Sequence, residues 1–218
     1  MRCYEIRYLI AVVCFALIIG GCAKEKVITD PHTPEEIKYV ELEDQAIVID
    51  YGLDGMVRQK LEFSGAKVVV DPNYYDKHEI KRGDIIFYDI PPDAVIDEFQ
   101  KKEDIVRVIA LEGEQISIKN GQIYIDGSRL DTFYGKLLAY GLDKNQYKKI
   151  EYPGCEDECR KSNIEYFETE VAEISIPSGH IYVLGDNSLR SIGSLNFGPL
   201  SKSQVKGKVL GYLKQNQR

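Results

Sequence analysis

The stretch Gln115-Ile116-Ser117-Ile118-Lys119-Asn120-Gly121-Gln122-Ile123-Tyr124-Ile125 decides the fold. In both halves isoleucine alternates with other residues, which is the period of a β-strand with one buried face. Asn120-Gly121 stands between them. This pair is the strongest short-range signal for a tight hairpin, because both residues accept the positive φ angles of the turn. Asp126-Gly127 then reverses the chain again. We therefore predict an antiparallel meander here.

Short runs rich in Val, Ile and Tyr continue this pattern on both sides of the hairpin. The loops between them are too short for crossover helices, which implies antiparallel connections and a mainly β fold. Residues 134–171 differ, because leucines and tyrosines stand there among charges with few β-branched residues. We predict an insertion with one or two short helices at that point. The other predicted strands are Ala46–Tyr51, Ala66–Asp71, Asp84–Tyr88, Ile105–Leu111, Val171–Ile176, His180–Leu184 and Val205–Leu213.

The first 22 residues have the pattern of an export signal. A positive start, with Arg2 and Arg7, precedes an apolar run from Tyr8 to Ile19. That run is shorter than the ~20 apolar residues that a membrane-spanning helix needs. It ends in Gly20-Gly21-Cys22, which is typical of lipoprotein signals in which the cysteine receives a diacylglyceryl group. We predict a lipid anchor at Cys22 on the extracytoplasmic face of a bacterial membrane. An uncleaved short helix and an ordinary cleaved signal peptide are the alternatives.

The rest of the chain predicts one folded domain on a tether. Residues 23–45 mix charges with Pro31 and Pro34 and are typical of a tether, so we place the domain at residues 46–218. The chain carries a net charge of −7, and residues 1–21 contribute +1, so the exported part carries −8. An acidic surface argues against binding a phosphate backbone, which relies on clustered Lys and Arg. The expected partner is membrane lipid, through the N-terminus, and not nucleic acid.

Only Cys155 and Cys159 among the five cysteines lie outside the signal segment and its end. Outside the cytoplasm such a pair can oxidise, and its spacing suits a small disulfide loop. Two free thiols and a metal site are the alternatives, although no histidine stands near the pair and zinc needs further ligands. We predict neither a metal nor a cofactor.

Several motifs follow one another in a recognisable order. They are Arg82-Gly83-Asp84-Ile85-Ile86, the run from Arg107 to Glu114, Gly185-Asp186-Asn187 with Ser191 and Ser194, Phe197-Gly198-Pro199-Leu200, and Lys206-Gly207-Lys208-Val209. Together they resemble type I signal peptidases (leader peptidases, serine peptidase family S26), from about residue 46 to the C-terminus apart from the insertion. The resemblance implies an antiparallel β-barrel-like fold behind an N-terminal membrane-targeting helix. It also implies removal of signal peptides by a serine nucleophile that a neutral lysine activates.

Both catalytic residues that the resemblance implies are missing. Counting back from Val68-Val69-Val70 aligns Met56 with the family's methionine and puts Gly55 at the serine position. The lysine directly precedes the arginine that matches Arg107, so Val106 stands at the base position. Glycine has no side chain for attack, and valine cannot accept a proton.

The third motif also departs from the family pattern. Ser188, Gly193 and Leu195 stand where the family has Arg, Asp and Arg, so a charge network has lost both signs together. Removing a whole network costs less than leaving one buried charge unpaired. Ser191, which in the family supports the lysine, is kept. We interpret Asp186 and Asn187 as formers of a local turn.

Substitute residues are few. Ser64 is the serine nearest to the nucleophile segment and is the fallback nucleophile, although it directly precedes a strand. Lys101 and Lys102 lie in a charged run typical of solvated surface. We therefore expect an extracytoplasmic, membrane-anchored protein that lacks catalysis and binds exported or signal peptides. An active signal peptidase that uses substitute residues is the alternative.

Overall fold

The computed structural model describes residues 25–95, 101–151 and 155–214. Strands dominate these residues, which confirms the mainly β prediction. The strands are β1 (Val27–Ile28), β2 (Tyr39–Val40), β3 (Ile47–Tyr51), β4 (Ala66–Asp71), β5 (Ile85–Asp89), β6 (Glu103–Ala110), β7 (Gln115–Lys119), β8 (Gln122–Ile125), β9 (Ser128–Leu130), β10 (Val171–Ser175), β11 (His180–Leu184), β12 (Leu200–Ser201) and β13 (Val205–Leu213). The α-helices are α1 (Lys144–Tyr147), α2 (Asp157–Tyr166) and α3 (Ser194–Phe197).

The strands form two sheets. The first has the order β1-β9-β8-β7-β10, and the second has the order β12-β11-β6-β5-β13-β4-β3 with β2 beside β13. All pairs are antiparallel except β1 with β9 and β2 with β13. The antiparallel connections expected from short loops are therefore confirmed for the body of the fold.

The predicted hairpin is the centre of the first sheet. Asn120 and Gly121 adopt φ angles of 48° and 71°, as the tight turn requires. The register pairs Ile116 with Ile125 and Ile118 with Ile123. All four isoleucines are buried in one apolar cluster, so the alternation read from the sequence marks the core-facing side.

Strand β6 is buried on both faces of the second sheet. Ile105 packs in a cluster with Tyr51, Met56 and Phe63, whereas Val106 packs in another cluster. Burial on both sides explains why this strand is a continuous apolar run rather than an alternating one. It also places the family's base position and its neighbours inside the protein.

Residues 25–44 do not form the predicted free tether. The segment from residue 26 to residue 40, here called the strap, carries β1 and β2 and pairs with both sheets. Its backbone carbonyls accept hydrogen bonds from distant amides. The carbonyl of Lys26 accepts one of 2.8 Å from the amide of Arg129, and the carbonyl of Lys38 accepts one of 2.9 Å from the amide of Tyr212. The tether over 23–45 and the domain start at Ala46 are therefore wrong for the described residues. Proline and charge patterns do not reveal partners that lie about a hundred residues away.

The strap also explains one glycine of the Arg-Gly-Asp motif. Gly83 has a φ of +86°, and a Cβ atom there would lie 1.9 Å from the hydroxyl oxygen of Thr33. Asp30 fixes this turn, because its side chain accepts hydrogen bonds from the amides of His32 and Thr33. The close approach of the strap thus depends on a glycine at position 83.

The insertion contains the two short helices α1 and α2 that the composition predicted. They enclose a small apolar cluster of Ala139, Leu142, Tyr147 and Phe167. A disulfide joins Cys155 to Cys159 at the start of α2, which is the first of the three alternatives raised by the spacing. The signal segment 1–22, with its predicted helix and Cys22, lies outside the described residues. Within the described ranges, no helix is long and apolar enough to cross a bilayer.

Candidate functional site

Gly55 lies in the turn between β3 and β4, directly against Ser191. A Cβ atom on Gly55 would lie 3.0 Å from Cβ of Ser191 and 3.2 Å from its Cα. These distances are shorter than normal carbon contacts of about 3.5–4.0 Å. A serine at this position therefore requires Ser191 to shift by a few tenths of an ångström. The structure brings together two positions that the resemblance implies for the site, and it packs them tightly against each other.

Ser191 holds its own loop. Its hydroxyl accepts a hydrogen bond from the amide of Gly185 at 3.1 Å. Gly185 is itself in close contact with the nucleophile turn, because a Cβ atom there would lie 2.2 Å from the carbonyl oxygen of Gly55. The hydroxyl that supports a lysine in the resemblance is used here to fix the loop.

Asn187 connects three separate segments. Its side-chain amide donates to the carbonyl of Asp54 at 2.9 Å, and its side-chain oxygen accepts from the amide of Tyr140, also at 2.9 Å. Its backbone amide donates to the carbonyl of Gly55 at 2.9 Å. Asn187 does begin a local turn, since its carbonyl accepts a hydrogen bond from the Arg190 amide at 2.9 Å, but its side chain bonds other segments instead of its own backbone. Both side-chain partners are distant in sequence, so no local pattern reveals them.

Val106 is fully buried in an apolar environment. It pairs with Ile86 across the strands and packs with Tyr88, Val108 and Val183. Ile192, the neighbour of Ser191, packs against the same cluster and accepts a hydrogen bond from the Tyr88 hydroxyl at 2.6 Å. Val106, the position that the resemblance predicts for the base, is therefore a core residue.

A buried ion pair holds the loop on the other side. Arg107 donates two hydrogen bonds of 2.6 Å to the two carboxylate oxygens of Asp186, and both side chains are 1% exposed. Arg107 also donates to the carbonyl of Gly83 at 2.8 Å. Arg58 lies 3.7 Å from the same carboxylate, and the ring of Phe133 lies under both guanidinium groups. Asp186 is thus an ion-pair partner rather than a turn former, and the loop keeps one charge pair that the sequence did not reveal.

The three altered positions of the loop are integrated into the fold. The Ser188 hydroxyl donates to the carbonyl of Leu138 at 3.0 Å and accepts from its amide at 2.8 Å. A Cβ atom on Gly193 would lie 2.9 Å from the carbonyl oxygen of Val183, and Leu195 packs against the core of the first sheet. An aspartate no longer fits at position 193 unless that backbone moves.

Ser64 has no suitable base beside it. It is exposed in a turn between Phe63 and Gly65, both with positive φ. Of the two lysines that line the same surface depression, Lys60 binds Glu36, and that hydrogen bond raises the pKa of the lysine. Such a lysine stays charged and cannot take a proton from a serine. Lys60 therefore cannot act as the base for Ser64.

An acidic residue that the sequence analysis missed lies next to the site. Asp104 is 5% exposed, two residues before Val106, and burial raises the pKa of its carboxyl to about 6. It faces the Tyr51 hydroxyl, which lies 3.5 Å from the position of a Cβ atom on Gly55. The only sequence signal is the charged run Lys101-Lys102-Glu103-Asp104, which is typical of surface. Lys101 and Lys102 are indeed exposed.

Within the ranges that the structure describes, no three His, Cys, Asp or Glu side chains converge as metal ligands. The site therefore consists of Gly55, Ser191 and Val106, the ion pair behind them, and the buried pair of Tyr51 and Asp104. Gly55 and Val106 offer neither nucleophile nor base, and the Ser191 hydroxyl is engaged by the amide of Gly185.

Comparison with known proteins identifies the family. The sequence model of the family "Signal peptidase, peptidase S26" matches residues 56–213. Signal peptidase I of Bacillus caldolyticus is 32% identical over 161 residues, which cover 73% of this chain and 76% of that protein. Signal peptidase I V of Bacillus subtilis is 26% identical over 164 residues, covering 75% of this chain and 84% of that protein.

Two further relatives carry similar names. Signal peptidase IB of Staphylococcus aureus is 27% identical over 171 residues, covering 75% of this chain and 76% of that protein. The crystal structure of a signal peptidase I from Enterococcus faecalis is 22% identical, with a TM-score of 0.38, and covers 60% of this chain and 97% of that one. The resemblance read from the motifs is confirmed, and the chain belongs to the signal peptidase family, peptidase S26.

Proposed function

We propose that this protein is a non-catalytic member of the signal peptidase family that binds exported or signal peptides at the extracytoplasmic face of a bacterial membrane. The observation that carries the proposal is the contact between Gly55 and Ser191. Ser191 packs tightly against the position that would carry the serine, because a Cβ atom on Gly55 would meet Cβ and Cα of Ser191 at 3.0 and 3.2 Å.

The base position supports the same conclusion. A lysine at position 106 would replace a valine that is 0% exposed and packed among aliphatic and aromatic side chains. Burial there would lower the pKa of a lysine, as the mechanism requires, but it would find no serine hydroxyl at Gly55 to deprotonate. Both halves of the dyad are therefore absent as chemical groups.

Specific contacts hold the loop beside the site in place, which favours a binding role over loss of the whole region. Asn187 joins the turn of Gly55 to the loop of Ser191, and the Arg107–Asp186 pair anchors that loop from behind. These contacts hold a defined surface beside the nucleophile position. A peptide can bind there without being cleaved.

A cleavage assay tests the proposal. We expect the full-length protein in detergent to bind a fluorescent signal peptide, measured by anisotropy, and to release no product by mass spectrometry. Signal peptidase I of Bacillus caldolyticus serves as the positive control for cleavage. We expect Gly55→Ser combined with Val106→Lys to have little activity, because the new serine would lie too close to Ser191 unless that loop shifts by a few tenths of an ångström.

Two outcomes would contradict this view. Cleavage by the wild-type chain would show that substitute residues act, and loss of that cleavage in Ser64→Ala would identify the nucleophile. Absence of any peptide binding would refute the binding role while leaving the loss of catalysis in place.

The anchor is a separate part of the proposal. We expect Cys22 to carry the lipid, so that metabolic labelling with a fatty-acid analogue marks the wild type and not Cys22→Ser. Cys3→Ser is the matched control, because it changes a cysteine inside the signal segment. Equal labelling of the wild type and Cys22→Ser would favour an uncleaved helix or another site.

A further inference from the structure

A small cavity opens beside the nucleophile turn, between β3, β5 and the start of β6. Its volume is about 230 Å³. Ligand sites for whole small molecules occupy about 300–1,000 Å³, so this cavity suits one side chain of a larger ligand. Its apolar walls are Ile49, Leu53, Phe87 and Ile105.

Two buried polar side chains also line this cavity. Tyr51 is 3% exposed, and its hydroxyl makes no hydrogen bond of normal geometry within the described residues. Asp104 is 5% exposed and accepts a hydrogen bond of 2.7 Å from the amide of Ile105, its own neighbour. A carboxylate has room for further donors. The Tyr51 hydroxyl faces the Asp104 carboxylate without a hydrogen bond of normal geometry, so the two buried groups together can accept a further donor.

The combination of groups selects the chemistry of that partner. A carboxylate and a phenol oxygen both accept hydrogen bonds, so a cationic donor matches them best. The apolar walls suit an aliphatic stem that carries such a donor at its end. A lysine side chain has both parts, with three donors on a compact ammonium group.

Other charges near the cavity already have partners or lie at its mouth. Asp50 lies 3.8 Å from Lys67, and Glu103 is paired with Lys206. Lys101 is exposed and lies near Gly52, 3.9 Å from where a Cβ atom would be. Asp104 is thus the buried acid that a guest cation would meet.

We propose that this cavity binds a lysine side chain of the bound peptide, with the ammonium group between Asp104 and Tyr51. The inference rests on the proposed peptide binding and adds the class of residue that is recognised. It also gives the protein a preference for a basic residue close to the nucleophile position. The closeness follows from Tyr51, whose hydroxyl lies 3.5 Å from the Cβ position of Gly55.

A peptide pair tests the preference. Fluorescent signal peptides would carry lysine or norleucine at each position around the cleavage region in turn, and anisotropy with the full-length protein would give the Kd values. Norleucine keeps the aliphatic stem and removes the charge. We expect lysine to bind about tenfold more tightly at one position, the size of one charge-assisted hydrogen bond.

Variants assign that preference to the cavity. Asp104→Asn and, separately, Tyr51→Phe should reduce the lysine preference while leaving the norleucine peptide unchanged. Asp50→Asn is the matched control at the rim and should keep the preference. Thermal unfolding checks that each variant folds, and Tyr51→Phe still tests the site if Asp104→Asn does not fold.

The outcomes separate the two proposals. Equal affinity for lysine and norleucine peptides at all positions, or a preference that survives in both cavity variants, would overturn the lysine site alone. Failure of every peptide to bind would overturn the proposed peptide binding together with the lysine site.

Discussion

Replacing Asp186 by alanine should destabilise the protein more than any change at a surface ion pair. The carboxylate is 1% exposed and receives two hydrogen bonds of 2.6 Å from Arg107. Its loss leaves the Arg107 guanidinium buried without its charge partner, and Arg58 loses a carboxylate at 3.7 Å. Removing one partner of a buried pair costs about 3–5 kcal/mol. Because two guanidinium groups are affected, we expect a loss near the upper end, about 5 kcal/mol.

Urea unfolding followed by circular dichroism measures this loss as a change in the free energy of unfolding. Glu41→Gln is the matched control, because Glu41 and Lys214 form an ion pair that is 61% and 58% exposed. Such a pair contributes about 0–1 kcal/mol. The double variant Arg107→Met with Asp186→Leu should recover part of the stability, since apolar residues can replace a whole buried pair. A loss below about 1 kcal/mol in Asp186→Ala would refute the view that this pair holds the loop.

Three further predictions concern other parts of the fold. Burial raises the pKa of Asp104 to about 6, so the folded state holds this proton more tightly than the unfolded state. Stability should therefore fall by up to about 3 kcal/mol as the pH rises from ~4 to ~6, and Asp104→Asn should remove that part of the pH profile from urea titrations. Gly193→Asp should lower the melting temperature, because its Cβ would lie 2.9 Å from the Val183 carbonyl oxygen. A melting temperature equal to that of the wild type would show that the loop adapts. Changing Cys155 and Cys159 to serine removes the disulfide. The chain-entropy model gives a loss of about 2 kcal/mol in the free energy of unfolding for so short a loop, and urea unfolding would detect it. An unchanged free energy of unfolding would mean that the disulfide does not constrain the unfolded chain.

Local features of the fold were predictable from the sequence. The hairpin at Asn120-Gly121 follows from two adjacent residues and from the alternation of their neighbours. Gly55 and Val106 were found because motifs with fixed spacing surround them. These features depend on residues that are close together in the chain.

Features that depend on distant partners were not predictable. The strap resembles a polar tether, since its stabilising hydrogen bonds come from Arg129 and Tyr212. Asn187 resembles a turn residue, although its side chain bonds Asp54 and Tyr140. Asp104 stands in a charged run, and no local pattern reveals that β6 pairs it with the buried Tyr88 of β5.

The strap also bears on the timing of folding. Tyr39 of β2 pairs with Tyr212 of β13, so β2 cannot pair until the last strand is present. If the chain is exported as proposed, the strap emerges first and its partner strand emerges last. Closing so long a loop costs conformational entropy, and the contacts that offset this cost form only when both strands are present. The larger sheet therefore cannot be completed during translocation, and an unfinished fold keeps the chain thin enough to pass through an export channel.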